Sequence, residues 1–342
     1  MKDNVLFIGG SLNQTTMMHK IAMQLAEYNC YFTPYYADGV EDFAARMGWL
    51  DFSVLGGRHF AATVDYLKKH NLPVDWRGRE RNYDLVVTCS DLIVQKNIRD
   101  KRVVLVQEGI TEPEGIMYHL VKRFKLPRYL ANTSTTGLSD AYDVFCVASE
   151  GYARLFIRKG VRKEKIAVTG IPNFDDLKSA FDNDFPYHGH VLVATTPFRE
   201  SFRPDNRVAF IQKCNRLANG RQLIFKLHPA ENVARATREI RKHSPDALIF
   251  TDGNVNHMMA NASLVITQQS TSTFVALALG KEVNTYLDVQ MLKELMPIQN
   301  GGTSAKRIAE VCRRVLHAPT YSVAKTHRGY LVRSKWNRAD SL

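Results

Sequence analysis

Short apolar runs recur along the chain between longer segments of helical period. The first run, Val5-Leu6-Phe7-Ile8, closes at Gly9-Gly10; a polar loop follows, and then Met18, Ile21, Ala22 and Leu25 at helical spacing. This predicts a buried strand, a loop and a helix. The same alternation returns at Leu85-Val86-Val87-Thr88, Val103-Val104-Leu105-Val106, Val144-Phe145-Cys146-Val147 and Ile166-Ala167-Val168. Short β-branched runs separated by helical patterns predict a parallel sheet covered on both faces. Between residues 172 and 190 the texture turns polar and rich in Asp, Asn, Pro and Gly, as a hinge would. A second series follows, with strands expected at 191–194, 223–227, 248–250, 264–267 and 282–286. The pattern predicts an α/β protein of two Rossmann-like, doubly wound parallel-sheet domains facing across a cleft. Residues 1–172 form the first domain and 173–320 the second, followed by a basic segment, 321–342. In such sheets ligands bind beyond the carboxyl ends of the strands.

Three strand ends in the second half carry candidate chemistry. Gln268-Gln269-Ser270-Thr271-Ser272-Thr273 follows one strand and precedes the helical run Phe274 to Leu279. Hydroxyls and free backbone N–H groups at a helix start can cradle an anion, although one hydroxyl is enough for an ordinary N-cap. Phe225-Lys226-Leu227-His228-Pro229 puts a cation and an imidazole at another strand end, where a lone histidine is more often a packing residue. Thr195-Thr196-Pro197-Phe198-Arg199-Glu200 supplies a guanidinium able to fork onto a phosphate, or else a solvated charged loop. Neither G-x-x-x-x-G-K-[ST] nor G-x-G-x-x-G occurs, which argues against P-loop kinases and nicotinamide dehydrogenases.

Charge adds a partner class. With 46 Lys and Arg against 34 Asp and Glu, the net charge of +12 favours polyanions: a phosphorylated substrate, an anionic lipid surface or nucleic acid. No helix-turn-helix, zinc-finger or RNP pattern accompanies the basic clusters, so nucleic acid is not the expected partner. Five scattered cysteines without a C-x-x-C pair suggest a reducing cytoplasm, and neither a leader core nor a run of 18 apolar residues is present. No histidine cluster suggests a metal, and none is expected.

These residues carry a resemblance. The stretch from Val191 to Val283 is similar to the nucleotide-binding lobe of the GT-B superfamily, which includes nucleotide-sugar glycosyltransferases, CDP-glycerol glycerophosphotransferases and non-hydrolysing UDP-N-acetylglucosamine 2-epimerases. Arg199-Glu200 falls where the epimerases have His-Arg-Arg-Glu-Asn, and Lys226-Leu227-His228-Pro229 falls on the His-Pro element of the polymer transferases. Ser270 to Lys281 falls on the Ser-Ser/Gly-rich turn before Ala-Leu-Gly-Lys-Pro-Val. The resemblance runs backward through Val168-Thr169-Gly170, Tyr83 to Val87 with Asp91, and Val106-Gln107-Glu108-Gly109. It implies a metal-independent enzyme acting on a UDP-, CMP- or CDP-sugar, and a last helix that crosses back to the first lobe. Two departures steer within the group. Leu12 stands near the place of the epimerases' arginine after the first strand, and Arg128-Tyr129 stand where Pro-Glu-Glu is expected. Val275 replaces the glutamate that binds the ribose in many glycosyltransferases, which leaves the nucleotide open.

The expected reaction is therefore transfer of a sugar from a nucleotide donor to a cell-envelope glycan or lipid-linked acceptor. Epimerisation of a free UDP-sugar is the alternative; a nucleic-acid-binding protein or an inactive scaffold is a further one. Glu108 is the leading candidate base, Asp91 the second, with Gly10-Ser11 as a first-lobe loop. Thr196, Arg199, Glu200, Lys226, His228 and Gln269 to Thr273 would stabilise the leaving phosphates. Met117, Leu120, Val121 and Phe124 recur at helical spacing among Lys122, Arg123, Lys125 and Arg128. Such a helix can rest on an anionic membrane at the inner face of the cell or grip an acceptor, or its stripe can simply be core.

Overall fold

The computed structural model describes residues 2–201 and 203–318. The first sheet is built from β1 (Asn4–Ile8), β2 (Asn29–Thr33), β3 (Leu85–Thr88), β4 (Arg102–Val106), β5 (Val144–Val147) and β6 (Ile166–Val168), in the order β2-β1-β3-β4-β5-β6. Its helices are α1 (Leu12–Ala22), α2 (Gly39–Arg46), α3 (Gly57–Lys69), α4 (Ile116–Phe124) and α5 (Glu150–Lys159). The second sheet holds β7 (Val191–Ala194), β8 (Leu223–Lys226), β9 (Leu248–Phe250), β10 (Leu264–Thr267) and β11 (Glu282–Asn284), in the order β11-β10-β7-β8-β9. With it run α6 (Arg207–Ala218), α7 (Val233–His243), α8 (Val255–Asn261), α9 (Ser272–Ala278) and α10 (Val289–Glu294), and α11 (Ser304–His317) ends the described chain. Every strand pair is parallel. Parallel pairing buries both faces, which is why the strands read as continuous apolar runs.

β2 was not anticipated. Its sequence, Asn-Cys-Tyr-Phe-Thr, lies at a sheet edge where only Phe32 and Thr33 are buried, so no apolar run announces it. α11, which a boundary at residue 320 puts in the second half, packs against α1 and against β3, β4 and β5 of the first. Arg313 pairs with Glu27 at 2.6 Å, and Arg102 donates to the Val315 carbonyl at 2.9 Å. The chain thus returns to the first lobe by Ser304; segment 321–342 lies outside the described residues.

The lobes meet through packed surfaces. Tyr152 of α5 and Phe274 of α9, both fully buried, lie 6.2 Å apart edge to face. Gly151 sits so close to the Glu294 carbonyl that a Cβ there would collide with backbone. A second close approach, between Gly109 and Thr271, brings the carboxyl ends of the two sheets together.

Candidate functional site

The strand order β1-β3-β4 sets the ends of β1 and β4 on either side of β3, so two loops nearly a hundred residues apart in sequence become neighbours. Ser11 caps α1, its oxygen accepting from the Gln14 N–H at 3.2 Å. The Ser11 hydroxyl in turn donates to Glu108 Oε1 at 2.9 Å. Gln14 Nε2 donates to Glu108 Oε2 at 2.5 Å, and Asn13 Nδ2 to Oε1 at 3.4 Å. The half-buried Glu108 carboxylate is therefore oriented by three side-chain donors at the positive end of an 11-residue helix. Asn13 and Gln14 were missed by sequence reasoning; the signal was the polar Ser-x-Asn-Gln run after β1.

Asp91 has a different environment. Buried, it accepts the backbone N–H of Gly137 and of Ser139, each at 3.0 Å, and so shapes the turn after α4. Arg128 donates to the Asp91 carbonyl at 2.9 Å, leaving Lys122, Arg123 and Lys125 as the exposed cations of the α4 region. Lys122 also reaches the Lys159 carbonyl at 3.1 Å.

In the second lobe several expected phosphate ligands are engaged with protein. Arg199 forks onto Glu239 of α7 at 2.7 and 2.8 Å, the geometry in which a guanidinium would have met a phosphate. Glu200 accepts the Asn232 N–H at 3.0 Å and pairs with Arg235. Lys226, buried, turns its Nζ to the carbonyls of Thr251 at 2.7 Å and Leu227 at 3.2 Å, toward β9. Thr196 keeps a buried hydroxyl with no hydrogen-bond partner among the described residues. His228 is held from both sides: its N–H donates to Thr195 Oγ1 at 3.0 Å and to Glu231 Oε2 at 2.9 Å, while Nδ1 accepts from Ala230 at 3.1 Å, leaving the ring proton on Nε2. Burial, helped by the charges of His59 and Lys226, pushes its pKa down to about 4. His59 belongs to α3, so this imidazole senses the first lobe.

That shift has a sign. Folded His228 stays neutral while the unfolded chain takes up a proton below its ordinary value of 6.5, so its contribution is present above 6.5 and is lost as pH falls toward 4. The wild-type melting temperature should fall across this window, and His228→Asn, whose side-chain oxygen can still accept from Ala230, should show a shallower fall in pH-dependent thermal melts. An equal slope in both proteins would show that His228 is not buried neutral.

Sequence reasoning also missed the network behind His228. Glu231 accepts from Thr195, from His228 and from Arg207 at 2.6 Å; Arg207 reaches Asp205 at 3.0 Å, and Gln268 donates to Asp205 at 3.2 Å. The only hint was a glutamate three residues after the histidine.

The hydroxyl-rich turn divides its side chains between two surfaces. Thr273 points inward to Thr267 at 2.9 Å, while Ser270 and Ser272 pair at 2.6 Å. Thr271 faces the first lobe, and a Cβ at Gly109 would lie 2.9 Å from its methyl. Gln269 accepts from Arg203 at 2.5 Å, and Arg203 lies 3.9 Å from Glu112 across the gap. Between residues 110–113 and 269–271 lies a pocket of about 190 Å³. Ligand sites usually span roughly 300–1,000 Å³, so this pocket is smaller than a typical one.

No family model matches the chain, and no curated protein does. Solved structures do. A Listeria monocytogenes protein assigned as a UDP-N-acetylglucosamine 2-epimerase superposes with a TM-score of 0.58 at 12% identity, over 94% of this chain and 98% of the other. The fold is GT-B. The Neisseria meningitidis UDP-GlcNAc 2-epimerase bound to UDP-GlcNAc gives 0.55 at 12% identity, covering 91% and 100%. The wall teichoic acid polymerase TagF gives 0.51 at 8%, covering 92% and 88%. The close approach of Gly109 to Thr271 sets the Glu108 loop and the 269–271 turn on facing walls of the interlobe gap, at the carboxyl ends of their sheets.

Proposed function

We propose that the protein is a metal-independent glycosyltransferase that moves a sugar from a UDP-, CMP- or CDP-linked donor to a cell-envelope glycan or a lipid-linked acceptor presented at a membrane surface. The observation that carries this reading is the contact of Gly109 with Thr271. It sets an oriented carboxylate, one residue away at Glu108, against the Ser270-Thr271 turn of the opposite lobe. In the reaction, the acceptor oxygen bonds to the anomeric carbon as the bond from that carbon to the donor phosphate breaks. The acceptor proton passes to Glu108. The electron pair leaves with the phosphate, whose charge the hydroxyls of residues 270–272 stabilise, joined by neutral His228 as an Nε2–H donor.

The breadth of the likeness to 2-epimerases favours a second reading, elimination and re-addition of UDP on a free sugar nucleotide. Against it, Leu12 is an exposed residue of α1 where the resemblance calls for an arginine, and Arg128 is bound to the Asp91 carbonyl.

Both readings share one test and part at a second. A cognate nucleotide at about 100 times its Kd raises stability by about 2.7 kcal/mol, so UDP, CDP or CMP should give a clear shift in melting temperature. Incubation of UDP-N-acetylglucosamine without acceptor, followed by NMR, then separates them: the transferase leaves the sugar unchanged, whereas a second anomeric signal identifies an epimerase. No shift with any nucleotide would remove both.

A further inference from the structure

α4 is built the wrong way round for a helix that ends in water. Its inward side is Tyr118 and Val121, both buried, as a three-residue spacing requires. The outward stripe is apolar as well: Ile116, Met117, Leu120 and Phe124 share one face, with Ile116 80% and Phe124 64% exposed. Leu126 and Leu130 extend it and are also exposed. A solvated helix puts polar residues there, and contiguous apolar surface on a protein marks something that covers it. A second apolar group lies in the α2 segment, where Phe43, Trp49 and Phe52 are exposed. Tyr129 lies near Glu41 of α2, whose negative charge adds to burial in raising the phenol's pKa, so the two segments are neighbours.

We propose that this face docks the first lobe on an anionic lipid bilayer. Charge selects the occupant. From 115 to 139 the sequence has no Asp or Glu, while Lys122, Arg123 and Lys125 stand exposed at the end of the helix. A partner protein surface would be met by mixed charge; headgroups of one sign are met by lysine and arginine beside aliphatic and aromatic side chains that enter the acyl boundary. Among the described residues no helix is long and apolar enough to cross a membrane. The docking face begins at Ile116, three residues past Pro113 of the interlobe pocket, so the docked helix follows directly on one wall of that pocket. The purpose of the docking rests on the transferase reading; the docking itself does not.

The test is sedimentation of the full chain with vesicles, without substrate. Wild type is expected to partition onto an equimolar phosphatidylglycerol and phosphatidylcholine mixture about 25-fold better than onto phosphatidylcholine alone, since each of the two cations beside the stripe, Arg123 and Lys125, contributes a factor of about five. Ile116→Ser with Phe124→Ser should lower that partition by at least about 10-fold, and Arg123→Gln with Lys125→Asn should flatten the lipid preference. All four side chains are exposed, so the melting temperature and the nucleotide-induced shift of the variants should stay at wild-type values; a wild-type protein that shows the nucleotide shift but does not bind the vesicles would leave the donor site standing while this proposal falls. Residues 321–342 are present in every variant, so a difference belongs to α4. Equal partition of the serine variant and wild type, or of wild type on both lipid mixtures, overturns the proposal. So does a wild-type dimer, by light scattering, that the serine variant dissolves, because the face would then be an interface between copies.

Discussion

Glu108→Gln is expected to reduce kcat for sugar transfer by about 10²- to 10⁴-fold, the range that a positioned general base supplies. The variant keeps the volume of the side chain and one oxygen for Ser11, but an amide cannot accept a proton from the acceptor. It also turns an NH₂ group toward one of the donors that now face the carboxylate, Ser11, Asn13 and Gln14. Such a mismatch costs about 1–3 kcal/mol locally, so a modest drop in melting temperature accompanies the loss of activity. The nucleotide-induced shift in melting temperature should survive, because the proposed phosphate contacts lie in the other lobe. Steady-state transfer assays together with melts of the ligand-bound variant separate the two effects. Transfer at the wild-type rate in a folded variant removes Glu108 as the base; loss of the nucleotide shift would mean that the substitution has disturbed the closure of the lobes.

Much of the architecture was legible because a buried parallel strand writes itself as an uninterrupted apolar run. Ten of the strands announce themselves in this way or nearly so; β2 does not, since an edge strand with Asn29 and Thr33 at its ends has only one apolar flank to bury. The candidate site was legible at the level of strand ends and illegible at the level of partners. That Glu108 follows β4 is a local fact, but that Ser11 and Gln14 reach it depends on the strand order β1-β3-β4. Arg199 reads as a phosphate ligand until α7 brings Glu239 beneath it, and Lys226 reads as a cation in the cleft until its stem is seen to lead to the Thr251 carbonyl. A charged residue carries no mark in the sequence of whether its counter-charge is a ligand or a side chain forty positions away. The same holds in reverse for α4, where one periodicity fits a core stripe or a surface stripe. Only the fold shows that Tyr118 and Val121 face inward and that Ile116 and Phe124 do not.

Arg207→Met should be among the most destabilising single changes in the second lobe. The Arg207 and Glu231 side chains are 3% and 1% exposed and meet at 2.6 Å, so neither charge has water to fall back on. Asp205, equally buried, receives the same guanidinium at 3.0 Å. Replacing the arginine with a side chain of similar length preserves packing but leaves two buried carboxylates for which the described residues offer an ion pair only from Arg199 Nε, 3.8 Å from Asp205. Removing one partner of a buried pair costs about 3–5 kcal/mol because the other remains as an uncompensated charge. For a lobe of this size that corresponds to a fall of roughly 6–20 °C in melting temperature. The double variant Arg207→Met with Glu231→Gln should recover part of the loss, since the introduced amide carries no charge and its oxygen can still accept from Thr195 or the His228 N–H. A thermodynamic cycle over the two single variants and the double variant reads the coupling directly. A single variant within about 1 kcal/mol of wild type would show that the pair is solvated. The network therefore joins stability to chemistry. Glu231 holds the backbone of His228 and the hydroxyl of Thr195 on the wall of the gap, and without Arg207 the residue that sets their positions has reason to leave.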